Sequence, residues 1–307
     1  MARRRTWILG ALTALAGIAA AAYYWEFLES PSPGAAQFSL DLKEVRRLAD
    51  SMPGDRPTGV RFEHVMDFQA PTAATITGGG LAQSTMWGIA YLLIYPDHTA
   101  MLDTAMNSLQ AKALGSVSAF YAEPYSRLIK AMSNAGLIFI THEHADHIGG
   151  IAAHPDAVRL FKSTVTLTSE QVNDPEHAMP ALLPRGVLNG YRPLKYDRYT
   201  AIAPGIALIK APGHSPGSQM VFVHLAGGTE ILFLGDVAWT MRNVELVRGR
   251  PRFVSNSFGE DRKAVINQLA AIHALTLAEP NIVIVPGHDG GTITDLVKRG
   301  VMKEGFE

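Results

Sequence analysis

The chain has 307 residues, of which 47% are hydrophobic and 18% charged, so it can bury a full core and is not intrinsically disordered. Its 27 Lys and Arg residues balance 28 Asp and Glu residues, which leaves no basic excess to follow a phosphate backbone and argues against a nucleic-acid partner. The sequence has no cysteine, which excludes disulfides, thiolate ligands and thiol nucleophiles. Any metal must therefore be held by imidazole and carboxylate groups.

The N-terminus carries a hydrophobic targeting segment. Three arginines at positions 3–5 precede an uncharged run over residues 7–25, a pattern that sends the following chain across a membrane. Two interpretations stay open: a signal peptide with an apolar core at 7–18 and a small-residue cleavage site at 20–22, or an uncleaved anchor with aromatic residues 23–25 at the interface. Both predict an exported body, either periplasmic or on the outer face of the cytoplasmic membrane.

The remaining chain divides into a short connecting region and one catalytic domain. We assign residues 1–25 to the signal peptide or anchor, 26–59 to a linker with a short helix at 40–51, and 60–307 to the domain. Apolar runs bounded by Gly and Pro predict strands at 89–95, 137–140, 158–160, 165–168, 206–209, 220–225, 230–234 and 282–285. Helices are expected at 123–133 and 262–277. The irregular stretch 173–199 predicts either a functional lid or an ordinary surface loop.

The stretch 137–150, LIFITHEHADHIGG, concentrates potential metal ligands where a buried strand ends. Strand alternation would send His142 and His144 to the same side, and a turn after them would aim Asp146 and His147 at a neighbouring point. Three later apolar runs also stop at His214, Asp236 and His288. Ligands at strand ends are well preorganised, so the pattern predicts a site for two metal ions. The isolated histidines elsewhere predict structural roles.

The motifs THEHADHIGG, PGHSPGS, a strand-end GD and PGH together resemble the metallo-β-lactamase superfamily over about residues 60–288. The resemblance implies an α/β (α+β) fold, a four-layer αβ/βα sandwich in which two mixed sheets face each other with helices outside. It also implies the ligands: His142, His144 and His214 for the first metal, Asp146, His147 and His288 for the second, and Asp236 bridging both. Asp103, in MLDTAM, falls where the family has an Asp that orients a ligand imidazole, although a simple strand-end turn also explains it.

Imidazole and carboxylate ligands suit zinc, while iron, manganese and cobalt stay open. Two adjacent cations would lower the pKa of a water between them, so the expected reaction is hydrolysis by a bridging hydroxide. Asp146 is a candidate for returning the proton to the leaving group. Ser215 and Ser218 are expected to be turn residues, since this chemistry needs no serine nucleophile.

Within the superfamily, APGHSPGSQMVFVHL, GDVAWT and PGHD are most similar to N-acyl-homoserine lactonases, which implies a small lactone or related ester as substrate. Those enzymes typically carry a Tyr three residues after the bridging Asp, where this chain has Trp239. Trp239 can line the substrate pocket, but its indole donates one hydrogen bond and cannot accept one. The alternatives are hydrolysis of a β-lactam, against which Asp236 argues, hydrolysis of a thioester, and a non-catalytic metal-binding scaffold. A membrane contact is expected only through an uncleaved N-terminal segment.

Overall fold

The computed structural model describes residues 2–34, 38–173 and 175–306, with side chains from residue 7 onward. The strands are β1 (Gly59–Pro71), β2 (Gln83–Ile94), β3 (Thr99–Leu102), β4 (Val117–Phe120), β5 (Leu137–Phe139), β6 (Tyr199–Ala203), β7 (Ile206–Lys210), β8 (Gln219–His224), β9 (Glu230–Gly235), β10 (Val283–Pro286) and β11 (Met302–Glu304). The helices are α1 (Ala2–Tyr23), α2 (Leu42–Ala49), α3 (Thr72–Thr75), α4 (Ser108–Leu114), α5 (Ala122–Asn134), α6 (Ala145–Ala153), α7 (Ala157–Ser163), α8 (Ser169–Asn173), α9 (Met241–Leu246), α10 (Arg252–Ser257), α11 (Arg262–Ala278) and α12 (Gly290–Lys298). A π-helical turn, Tyr24–Leu28, continues α1.

The strands form two mixed sheets. The first has the order β11-β1-β2-β3-β5, with β4 also paired to β1, and its β1–β11 and β3–β5 pairs are parallel. The second has the order β10-β9-β8-β7-β6, in which only the β10–β9 pair is parallel. The predicted hairpin at 220–234 is the antiparallel β8–β9 pair.

Strand alternation explains the layers. In β2, Tyr91 and Leu93 pack between the sheets, where the Tyr91 ring lies 4.8 Å from the Phe233 ring of β9, whereas Leu92 faces the helices outside the first sheet. In β8, Phe222 points away from this interface and packs against α2 and α11. Each sheet is therefore covered by helices on its outer face, and the expected αβ/βα sandwich is confirmed.

Helix caps mark two of the predicted helices. The Asp261 carboxylate accepts from the backbone N–H groups of Lys263 and Ala264, at 2.9 and 3.0 Å, and begins α11. Asp41 accepts from the backbone N–H of Glu44 at 3.1 Å and begins α2. Both helices were predicted within one or two residues at each end.

Three sequence expectations were wrong. Residues 158–160 lie in α7 rather than in a strand, because one face of that turn buries Leu160 and Phe161. Residues 165–168 make only two single-residue bridges, Val165 with Ile138 and Thr168 with Leu194. The region after Asp236 folds into α9, α10 and α12 as well as the one helix expected. Runs this short cannot be assigned to strand or helix by period alone.

The N-terminal helix stands outside the sandwich. Its segment Trp7–Leu28 is 22 residues long, with a mean hydropathy of 1.6 and none of its most apolar stretch buried, so it is long and apolar enough to cross a membrane. A signal sequence meets the same criterion, so both sequence interpretations stay open at this level.

Candidate metal centre and its pocket

The ligand-rich stretch is a loop followed by a helix. Strand β5 ends at Phe139 and α6 begins at Ala145, so Asp146 and His147 occupy the first helical turn. His142 and His144 therefore come together through the loop and not through strand alternation, which corrects the sequence argument. Glu143 fixes this loop, because its buried carboxylate accepts from the Gly217 backbone N–H at 3.0 Å. Burial raises the pKa of Glu143.

Four side chains converge on one point. His144 Nδ1 lies 3.0 Å from His142 Nε2 and 2.9 Å from His214 Nε2, and His214 Nε2 lies 3.3 Å from Asp236 Oδ2. The ligand atoms of these four buried residues all lie within 4.8 Å of one another. The first group predicted from the sequence is thus brought together, with Asp236 at its edge.

A second group lies against the other carboxylate oxygen of Asp236. Asp236 Oδ1 is 3.1 Å from His288 Nε2 and 3.5 Å from His147 Nε2. Asp146 Oδ2 lies 3.6 Å from the same two nitrogens. Asp236 Oδ2 also lies 3.2 Å from His288 Nε2, so the carboxylate lies between the two groups and contacts both, which is the position that a bridging ligand requires.

The unpaired atoms and the charge states of this cluster fit divalent cations. Among the described residues, the buried atoms His147 Nε2 and Asp236 Oδ1 have no hydrogen-bond partner, a costly arrangement unless a ligand satisfies them. Burial, with the neighbouring imidazoles, holds the pKa values of His142 and His144 well below the usual range. Burial opposes ionisation of Asp236, but the imidazoles of His288, His142 and His147 hold its pKa well below the usual range. Neutral imidazoles at His142 and His144 beside an ionised Asp236 carboxylate are the state that binds metal.

The ring nitrogens of His147 and His288 that face away from Asp236 also have partners. His147 Nδ1 lies 2.9 Å from Asp103 Oδ2, so Asp103 is positioned to orient this imidazole. Burial lowers the pKa of His147, but Asp146, Asp103 and Asp236 outweigh it and raise that pKa well above the usual value, so a bound cation there displaces a proton. His288 Nδ1 instead lies 2.8 Å from the backbone oxygen of Trp87.

Glu260 lies behind His214 and was not among the residues predicted from the sequence. Its buried carboxylate lies 3.0 Å from His214 Nδ1 and accepts from Arg250 Nε at 2.7 Å and from Ser255 Oγ at 2.8 Å. Burial raises the pKa of Glu260, but Arg250 and His214 together lower it to about 2. Nothing in the local sequence marks this residue, because Glu260 lies 46 positions from His214.

Trp239 is engaged with the centre itself. Its indole Nε1 donates to Asp236 Oδ2 at 2.6 Å, and the Arg250 guanidinium lies 4.8 Å from its ring centroid. The single donor of Trp239 is thus committed to the shared carboxylate.

A cavity of about 590 Å³ opens over both groups. His144, Asp146, Asp236, Trp239 and His288 lie at its base. Its apolar walls come from several elements: Phe68, Ala70, Ala74, Met86, Leu114, Val254 and Phe258. The irregular segment 173–199 contributes Glu176, His177 and Met179, so this segment borders the pocket as the lid interpretation requires.

Comparison with known proteins places this geometry in a family. The model of the metallo-beta-lactamase superfamily matches residues 89–288, which is 200 of the 307 residues. An N-acyl homoserine lactonase of Bacillus thuringiensis is 25% identical over 187 residues, covering 56% of this chain and 71% of that protein. A second N-acyl homoserine lactonase, from a Bacillus species, is 25% identical over 234 residues, covering 70% and 86%.

The fold is also similar to a solved structure of an N-acyl homoserine lactone hydrolase with the product N-hexanoyl-L-homoserine bound at its catalytic metal centre. The two share a TM-score of 0.59 at 17% identity, with 78% of this chain and 96% of that chain covered. The family match, the sandwich and the paired His/Asp groups agree. The chain belongs to the metallo-β-lactamase superfamily and is a metal-dependent hydrolase.

Proposed function

We propose that the protein is an exported hydrolase that opens lactone rings of the acyl-homoserine-lactone type, using two divalent metal ions, with zinc favoured by the ligand types. The observation that carries this proposal is the Asp236 carboxylate, which lies between the two ligand groups and contacts both at the base of a largely apolar pocket. The lactonase relatives support the choice of substrate class.

The ligand roles follow the two groups of atoms. His142, His144 and His214 would hold one ion, Asp146, His147 and His288 would hold the other, and Asp236 would contact both. Bound divalent cations supply Lewis acidity and lower the pKa of coordinated water. Asp146 is the group that returns a proton to the leaving alcohol, since it borders the pocket and its side chain is 16% exposed.

The pocket accommodates a polar head with an apolar tail. Phe68, Met86 and Phe258 provide an apolar wall beside the ligand groups, suited to an acyl chain. Trp239 stands where the lactonases have Tyr, and its N–H already donates to Asp236. This N–H is therefore not free to orient a lactone carbonyl, which the walls of the pocket would position. In this proposal residues 60–307 form the catalytic domain, 26–59 connect it, and 1–25 serve as signal peptide or anchor.

The test is a substrate panel with the metal-loaded full chain. Acyl-lactones, aryl esters, cephalosporins and glutathione thioesters are assayed with and without chelator, and metal content is measured in parallel. We expect about two metals per chain and chelator-sensitive hydrolysis of the lactones. Asp146→Asn should abolish turnover, while Asp97→Asn, at a side chain 84% exposed, should not.

The other outcomes separate the alternatives. Hydrolysis of a cephalosporin or a thioester with untouched lactones rejects the substrate class but keeps the metal centre. Full metal loading without turnover of any substrate identifies a binding scaffold. Metal content near zero after metal-supplemented expression contradicts the dinuclear centre.

A further inference from the structure

The end of the N-terminal helix is packed against the catalytic domain. The Phe27 ring lies 4.8 Å from the Phe253 ring of α10, and the Gly78 backbone N–H donates to the Phe27 oxygen at 3.0 Å. The Arg252 guanidinium lies 3.9 Å from the centroid of the Trp25 ring. The π-helical turn thus contacts both α10 and the turn that follows α3.

Ion pairs hold the next residues in place. Glu29 Oε2 accepts from Arg252 at 2.7 Å and from Arg262 at 2.6 Å, and Arg262 also donates to the Glu29 backbone oxygen at 2.6 Å. The Arg262 side chain is 10% exposed, so this pair is partly shielded from water. Lys263 Nζ donates to the Ser32 backbone oxygen at 2.6 Å. The segment that joins the helix to the domain is therefore held against α10 and α11 at Glu29 and Ser32.

The same two elements form walls of the substrate pocket. On α10, Val254 and Ser257 line the pocket, while Arg252 and Phe253 contact the N-terminal segment. On α3, Ala74 lines the pocket. A single helix, about 10 Å in diameter, therefore separates the pocket from the N-terminal helix.

Exposed apolar side chains surround this junction. Leu28 is 40% exposed and Phe253 41%, and Leu81, three residues beyond Gly78, is 85% exposed. Three residues span at most about 10 Å, so Leu81 lies near the contact with Phe27. Clustered exposed apolar groups mark an interaction surface. We name Leu28, Leu81 and Phe253 the junction patch.

The patch continues the surface of a helix that has the length of a membrane span. Near its C-terminal end the segment Trp7–Leu28 carries Tyr23, Tyr24 and Trp25, each at least half exposed. These residue types prefer the lipid headgroup region. Helix α1 also runs without a break through Ala20 to Ala22, the candidate cleavage site, into the turn that packs on the domain. A lipid bilayer is the occupant that fits the junction patch, the exposed aromatic residues and the unbroken apolar helix.

We propose that the N-terminal helix stays attached and spans the membrane, and that the junction patch rests in the outer lipid surface, holding the pocket beside it. The proposal concerns a docking surface and is independent of which substrate the enzyme hydrolyses. It favours the uncleaved anchor over the signal peptide, and the depth of the junction patch in the membrane tests that choice.

The absence of cysteine makes the test direct, since one introduced thiol takes one spin label. Full-length Leu81→Cys is labelled with a nitroxide and reconstituted in vesicles of phosphatidylethanolamine and phosphatidylglycerol. Leu277→Cys is the control, because Leu277 is 73% exposed and apolar but lies near the far end of α11 from Arg262. Collision rates with lipid-soluble oxygen and with a water-soluble nickel chelate are compared.

We expect the label at 81 to collide with oxygen and to be protected from the chelate, and the label at 277 to show the reverse. A label at Leu28 should behave like the one at 81. Equal chelate access at 81 and 277 overturns the proposal, as does recovery of a mature chain that begins at residue 23. Neither readout needs turnover, so the surface and the proposed activity can fail separately.

Discussion

Replacing Glu260 with Gln tests the buried ion pair behind the proposed metal centre. The substitution keeps the size of the side chain and removes its charge. It leaves the Arg250 guanidinium, 1% exposed, without a counter-ion, and it weakens the acceptor that orients His214. The effects on stability and on metal binding can therefore be measured separately.

Two estimates of the stability effect agree. Breaking a buried ion pair by removing one partner costs about 3 to 5 kcal/mol. Independently, the pKa of Glu260 falls from its usual 4.5 to about 2 in the folded protein, and at 1.36 kcal/mol per pKa unit this corresponds to about 3 kcal/mol. Because the folded pKa is the lower one, this contribution is present above pH 4.5 and is lost as the pH falls through about 2.

The assay is denaturant unfolding of chelator-treated protein. At pH 7 we expect Glu260→Gln to lower the free energy of unfolding by about 3 kcal/mol, with the difference from the native chain shrinking below pH 4.5. Its affinity for metal should fall about 10- to 100-fold. Ser255→Ala removes one hydrogen bond to the same carboxylate but leaves its charge beside Arg250, so it should cost less, about 1.5 kcal/mol. A Glu260→Gln effect no larger than that of Ser255→Ala refutes the reasoning.

Three other predictions concern neighbouring features. Asp103→Asn can keep the backbone conformation, because Asn tolerates the positive φ of 59° at this position. The amide is a weaker acceptor for His147 Nδ1, so one metal should bind about 10- to 100-fold less tightly in a chelator competition. Unchanged affinity for both metals would contradict this. Trp239→Phe removes the donor to Asp236 Oδ2 and should destabilise the metal-free protein by about 1.5 to 3 kcal/mol in urea. Burial raises the pKa of Glu29, but its arginine partners lower it below the usual 4.5. Protection of a spin label at residue 81 from the nickel chelate should therefore hold above pH 4.5 and decline as acid protonates the carboxylate. Protection that is insensitive to acid would show that the Glu29 carboxylate does not hold the helix on the domain.

The sequence predicted which side chains would come together because the candidate ligands follow recognisable motifs at the ends of apolar runs. His214, Asp236 and His288 are far apart in the chain, yet each ends an apolar run, and the ends of strands meet at one edge of the sandwich. Their roles as ligands stay a prediction. Glu260 was not foreseen because its importance comes from a tertiary contact with Arg250, and two charged residues ten positions apart look like ordinary surface groups.

The contacts of the N-terminal segment were equally invisible in the sequence. ESPSPG, residues 29–34, has the composition of a flexible linker, and Pro and Ser give no sign of a partner. The pairing of Glu29 with Arg262 joins residues 233 positions apart, a distance that no local pattern encodes. The error at 158–160 had the opposite origin, since local composition favoured a strand while the packing of Leu160 favoured a helix.

Strand β11 sets the time at which the first sheet can be completed. Strand β11 pairs with β1 from Val60 to Phe62, and the Phe306 backbone N–H donates at 2.7 Å to the buried carboxylate of Glu63. The β1 residues leave the ribosome more than 200 residues before β11 and Phe306, with which they pair. The first sheet therefore stays incomplete, with part of an edge of β1 unpaired, until synthesis reaches β11. A chain arrested before β11 presents that edge to chaperones and proteases.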